Sequence, residues 1–169
     1  MAKPMSRAFV KEDDDAGGIT VLPDRAISPH PNLVTRRGLV QIERRLAEHR
    51  REHADAVAAE DHAAAARAAR ELRYWAARHA SAELVEPPEA ASTAVVFGDA
   101  VTLAREDGTR VTFRIVGEDE AEPSEGRIAW TAPVARILLG SQVGDLRRLP
   151  SGEVEVLAIN ADPQPPEGD

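Results

Sequence analysis

His49 and His53 stand one helical turn apart, a spacing at which two imidazoles can hold zinc. No third ligand accompanies them, because His79 falls about two turns away along the helices inferred below. Packing in a seam of short side chains is their plainer role. Glu60 and Asp61 are a second chemical candidate. Neighbouring residues on a helix point about 100° apart, so these two carboxylates can meet one cation only from a loop. Glu118, Asp119 and Glu120, with Glu122 and Glu125, form an acidic cluster without the spacing of a calcium loop, and read as a solvated loop. The chain has no cysteine, which excludes disulfides, thiolate zinc sites and a cysteine nucleophile. Nothing in this inventory assembles a catalytic group, so the chain is not expected to be an enzyme.

The elements that would carry these residues are legible in the periodicity. Residues 35–85 read as two helices, with Thr35 as the first N-cap. Leu39, Ile42, Leu46, His49, His53 and Ala56 are spaced alternately by three and four, as are Ala65, Ala68, Leu72, Trp75, His79 and Ala82. Folded back antiparallel, one register pairs Leu39 with Ala82, Ile42 with His79, Leu46 with Trp75, His49 with Leu72, His53 with Ala68 and Ala56 with Ala65. The turn then falls at Glu60-Asp61, with Asp61 capping the second helix. A hairpin arm of about 21 residues would be roughly 30 Å long. The alternative is one unbroken alanine-rich rod, since no Gly or Pro interrupts the chain there. The arginines 36, 37, 44, 45, 50, 51, 67, 70, 73 and 78 lie mostly off the seam. They read as a solvated face with ion pairs such as Arg44 with Glu48 or Glu48 with Arg51, or else as a surface for acidic walls or RNA.

After the pair Pro87-Pro88, a linker to about residue 94, the period changes to two. Val101 and Leu103 alternate, Asp107-Gly108 marks a hairpin turn, and Val111, Phe113 and Ile115 alternate on the return. Ile128 and Trp130 mark a short strand. Pro133 opens a short helix that Gly140 ends. Leu146 and Leu149, then Val154, Val156 and Ile159, mark two more strands. The fold class is α+β: an N-terminal antiparallel helical hairpin (coiled coil) at 33–85, then a small sheet domain at 93–161. Residues 1–32, with Glu12-Asp13-Asp14-Asp15, Gly17-Gly18 and Pro23, Pro29 and Pro31, read as a flexible arm, and 162–169 as a disordered tail. Met5 is a candidate alternative start.

Composition narrows the function. With 169 residues, 30% of them charged, the chain has no apolar run long enough to span a membrane and no apolar signal core near its start, so a cytoplasmic protein is expected. A net charge of −8 and only 4% aromatics oppose autonomous binding of nucleic acid. The charge is uneven: ten arginines against eight acids over 33–85, but seven against sixteen over 86–169. A weakly basic rod therefore meets a strongly acidic head.

Several runs bring a family into view. Leu33-Val34-Thr35-Arg36-Arg37-Gly38 and Leu72-Arg73-Tyr74-Trp75 resemble hairpin segments of the bacterial transcript-cleavage factors GreA and GreB. Phe97-Gly98-Asp99-Ala100-Val101, Phe113-Arg114-Ile115-Val116-Gly117, Ala132 to Gly140, and Val143-Gly144-Asp145 resemble, in order, their C-terminal strands, short helix and turn. The resemblance covers about residues 33–160. It implies an FKBP-like C-terminal domain that docks on RNA polymerase through the short helix, making Pro133, Arg136, Leu139 and Gly140 docking candidates. It also implies a hairpin that enters the polymerase's secondary channel, near nascent RNA. In the family, two tip carboxylates help position Mg2+ for hydrolysis of a backtracked transcript, while the polymerase supplies the chemistry. The expected cofactor is therefore none of the chain's own, only Mg2+ shared with the polymerase, and the expected state is a monomer.

The chain departs from the family at the tip. The Gly-Asp-x-x-Glu-Asn type of loop is missing, and each arm is about nine residues short, roughly 13 Å of lost reach. Glu60 and Asp61 are the remaining tip metal-positioning candidates. The missing motif favours modulation of the channel over strong stimulation of cleavage. Two other readings are a short-armed regulator of nucleoside diphosphate kinase, which shares the C-terminal fold, and a coiled-coil interaction module unrelated to polymerase. Prolyl isomerase activity would need an aromatic pocket, whereas alternation assigns Phe97, Phe113 and Trp130 to the core.

Overall fold

A computed structural model describes residues 23–86 and 92–160. The acidic run 12–15, the candidate start at Met5, Pro87-Pro88 and the tail 162–169 lie outside the described residues.

The first helix, α1 (Arg36–Ala58), begins where expected, with the Thr35 side chain accepting from the Gly38 N–H at 2.9 Å. The second, α2 (His62–Ala80), begins at Asp61, whose side chain accepts from the Ala64 N–H at 2.9 Å. The chain reverses between them at residues 59–61, so the hairpin, and not the unbroken rod, is what forms. At 23 residues, α1 is about 34 Å long. Ile42 and Trp75 are buried between the arms with Leu39, Leu46, Tyr74 and Ala82, while Ala56 and Ala68 fill the seam farther out.

The seam departs from expectation at its foot. His79 is 45% exposed and faces Glu43 at 3.8 Å, whereas its neighbour Arg78 is 2% exposed. The helix also stops at Ala80, well before Pro87. The chain instead turns into a strand, β2 (Ala82–Leu84), that pairs in parallel with β1 (Asn32–Val34). This small ladder closes the neck of the hairpin. Buried Asn32 reinforces it, its Nδ2 donating to the Arg78 carbonyl at 2.7 Å.

Residues 23–31, expected to belong to a flexible arm, lie along α2 instead. The Arg25 guanidinium stacks 3.6 Å from the centre of the Tyr74 ring and pairs with Glu71 at 2.6 Å. Asp24 pairs with Arg73 at 2.7 Å, and Arg70 Nε donates to the Pro23 carbonyl at 2.7 Å. Ser28 and His30 then reach the sheet domain, at Glu118 and at the edge of Trp130. The segment is a strap rather than a loose arm.

The C-terminal sheet has the order β5-β4-β3-β7-β6, formed by β3 (Ala100–Arg105), β4 (Arg110–Val116), β5 (Arg127–Ala129), β6 (Leu146–Leu149) and β7 (Gly152–Asn160). All neighbours are antiparallel except β4 and β5. The short helix α3 (Pro133–Leu138) covers one face, burying Ala135 and Leu138 against Val101, Leu103, Ile115, Val154 and Val156. The α+β class, with a helical hairpin ahead of a small sheet domain, is therefore as expected. Phe97, Phe113 and Trp130 are partly buried and pack against this core.

Candidate functional site

Three places could act on another molecule: the hairpin tip, the arginine-bearing arms, and the surface around α3. A fourth, the neck, decides how the first three are arranged.

At the tip, Glu60 takes a left-handed backbone conformation with φ 55°. That conformation brings the chain from α1 to Asp61, and both residues are exposed. Asp61 Oδ1 is the acceptor that caps α2, so one of the two tip carboxylates already has a structural task. Replacing Asp61 by alanine is expected to cost about 1 kcal/mol of hairpin stability, the usual worth of such a cap. Glu60→Gly should be neutral or stabilising, because glycine adopts positive φ without penalty. Thermal melts of the two variants check this pair of signs.

Along the arms, Arg45 pairs with Glu48 at 3.2 Å, in place of the expected Arg44–Glu48 and Glu48–Arg51 pairs. Arg44, Arg50, Arg51 and Arg67 have no carboxylate partner among the described residues. His49 accepts or donates across 2.7 Å to Glu52 and is largely buried, while His53 is half-buried. Among the described residues, no three His, Asp or Glu side chains converge as a metal site.

The neck contains what the sequence reading missed. Glu118, Asp119 and Glu120, expected to be a solvated loop, instead lock the hairpin to the sheet domain. Asp119 accepts from Arg78 Nε at 2.5 Å and from the Tyr74 hydroxyl at 2.6 Å, and its backbone carbonyl accepts from Gln41 at 3.1 Å. Glu120, 4% exposed, accepts from the Thr35 hydroxyl at 2.5 Å, so the N-cap of α1 is itself held by the head. Glu118 lies 3.7 Å from Arg78 and also accepts from Ser28 and Thr131. The contact leaves no spare room, for a Cβ on Gly117 would stand 2.6 Å from the Leu33 carbonyl oxygen.

Tyr74 registers this environment. Burial, then the hydrogen bond to Asp119 and that residue's charge, push its phenol up to about 12 from 10.0. A raised acid favours the folded state below the unfolded value, and that contribution is lost as pH climbs through the folded one. The chain has one tyrosine, so the absorbance of its phenolate is an unambiguous probe. Its midpoint should lie near 12 in the intact protein and move toward 10 in Asp119→Asn.

Around α3, Pro133, Arg136 and Gly140 are exposed and Leu139 is half-buried. Gly140, at φ 80°, ends the helix, and its N–H donates to the Val95 carbonyl at 2.8 Å. Exposed Val143 and Leu146 follow it in the chain. Val143 and Leu146 are 60% and 59% exposed, so this stretch offers two large apolar side chains to solvent. It lies well away in the chain from Glu60 and Asp61, and no described contact brings the two sets together.

Residues 90–161 match the family model described as transcription elongation factor GreA/GreB, C-terminal. By that match, the sheet domain of this chain is similar to the C-terminal domain of GreA/GreB factors. Among curated relatives, it is 43% identical over 88 residues to transcription elongation factor GreA of Anaeromyxobacter sp. (strain K), covering 50% of this chain and 51% of that one. It is 36% identical over 95 residues to GreB of Neisseria meningitidis serogroup B, covering 53% and 58%. The chain thus spans about half the length of the curated relatives it matches. Among solved structures it is similar to GreA factor homolog 1 (Gfh1) of Thermus thermophilus, at 22% identity and TM-score 0.38, covering 78% of this chain and 100% of that one. The GreA/GreB model takes in α3 and the acidic loop, whereas Glu60 and Asp61 fall outside it. No helix among the described residues is long and apolar enough to cross a membrane.

Proposed function

We propose that this chain binds RNA polymerase, with the head seated through Pro133, Arg136, Leu139 and Gly140 and the hairpin entering the secondary channel. On this reading it modulates transcript cleavage rather than strongly stimulating it. Curated relatives of the GreA and GreB type support the partner. The observation that carries the modulating role is at the tip. Asp61 spends a carboxylate oxygen on the Ala64 N–H, which leaves Glu60 as the one tip carboxylate without a structural task. Mg2+ shared with a polymerase would find Glu60 and the second oxygen of Asp61 there. Hard oxygen donors suit that ion, which otherwise keeps its waters. Paired metals in phosphoryl transfer need both attacking and leaving oxygens held, and a single free carboxylate gives weak support for that.

The test adds the protein to a stalled, backtracked elongation complex and follows RNA length. Weak or absent shortening, together with competition against a cleavage-competent factor, is the expected result. Arg136→Glu should abolish the competition while leaving the fold intact. Strong cleavage that survives both Glu60→Ala and Asp61→Ala would refute the tip assignment, and failure to bind the polymerase would refute the whole reading.

A further inference from the structure

The hairpin is a prong on a narrow base. Thr35, Arg37, Gln41, Tyr74 and Arg78 all reach the sheet domain at Glu118, Asp119 or Glu120, three consecutive residues of one turn. Asp119 takes Gln41, Tyr74 and Arg78 together. A rod held at one short turn is fixed in place there, yet free to pivot about it.

The strap supplies a second footing. Its upper half grips α2 above the base. Arg25 is held between Glu71 and the Tyr74 ring, Asp24 pairs with Arg73, and the Pro23 carbonyl accepts from Arg70 Nε. Its lower half grips the head. The Ser28 hydroxyl donates to Glu118 Oε1 at 3.0 Å, and the Thr131 hydroxyl donates to the same oxygen at 3.1 Å. The His30 ring meets Trp130 edge to face, with centres 5.9 Å apart. Trp130 directly follows β5 and lies outside the turn that carries 118–120.

The sequence of the strap limits its slack. Pro29 and Pro31 each fix their own φ and hold the preceding residue extended, and those preceding residues are Ser28 and His30, the two that grip the head. The strap also acts at a distance from the base. Along the helix axis, Arg70 stands about 12 Å from Arg78 and Asp61 about 26 Å. For a rod pivoting at Arg78, slack at Arg70 is roughly doubled at the tip.

We infer that the strap is a stay that aims the prong, with Arg25 as the positioning residue on α2 and Ser28 and His30 as the anchor on the head. The aim of the prong is a property of the free chain, so this inference stands or falls apart from polymerase binding.

Spin labels test it, and because the chain has no cysteine they can be placed at will. Ala59→Cys marks the tip and Ser151→Cys the head, both at exposed positions. The labelled parent should give one narrow distance distribution. A stay cut at either end no longer holds, so two variants should broaden it alike, by about twofold on the lever ratio above. One is Asp24→Ala with Arg25→Ala. The other is Ser28→Ala with His30→Ala, and no described hydrogen bond, ion pair or ring contact joins those two residues to α1 or α2. Broadening in the second variant therefore reaches the prong through the strap. A distribution as narrow as the parent's in either variant would overturn the inference. Broadening matched by lost helical ellipticity would be fraying of the arms, and would overturn it too.

Discussion

Asp119→Ala is expected to destabilise the protein by about 3–5 kcal/mol, the cost of removing one partner from a buried ion pair. Arg78 is 2% exposed and Asp119 9%, so the cation cannot turn to water when its partner goes. Glu118, at 3.7 Å, is too far for a good hydrogen bond and is already shared with Ser28 and Thr131. The Tyr74 hydroxyl would lose its acceptor as well. Replacing both ends by apolar groups, Arg78→Met with Asp119→Leu, should recover much of the loss, because no lone buried charge then remains. A urea-melt cycle through the single and double variants measures the coupling between the two residues. A loss below about 1 kcal/mol for Asp119→Ala would mean that the neck relaxes and hydrates, which a surface pair would also show.

Trp75→Ala should be as damaging, at about 3–5 kcal/mol, through the cavity it leaves among Val34, Ile42 and Leu46. Trp75→Phe discriminates between cavity and polar effects. The buried indole N–H has no hydrogen-bond partner, so phenylalanine gives up volume but no bond. Its cost should stay under about 1.5 kcal/mol, as for other modest changes of apolar shape. Thermal melts of the two variants give the comparison. A large loss in Trp75→Phe would point to a water held on that nitrogen.

The two predictions concern residues of unequal legibility. Trp75 announces itself, since it falls on a seam whose spacing of three and four identifies the buried stripe of any helical pair. Thr35 and Asp61 are equally local signals, for a cap is read from a residue and the turn that follows it. The sheet domain is legible for the same reason, from its alternation and from Asp107-Gly108. The neck is not. Arg78 and Asp119 are 41 residues apart, and each alone looks like a solvated charge. Nothing local says that the last turn of α2 rotates His79 out and Arg78 in. That follows from the head packing against the foot of the helix. The strap escapes notice for the same cause: its proline-rich composition suggests no regular element, and its order comes from Arg25, Asp24 and Ser28 finding distant partners. At the tip, Asp61 is legible as a cap, while the positive φ of Glu60 is set by closing a three-residue turn and has no residue-type signature.

The gradation of side-chain size along the hairpin has a mechanical consequence. Tryptophan, isoleucine and leucines sit at the foot, and alanines fill the outer seam. A cantilever loaded sideways at its free end feels its greatest bending moment at the root and almost none at the end. This prong is thickest where that moment peaks and slender where it vanishes, so a nudge at the far end is carried as leverage into the root.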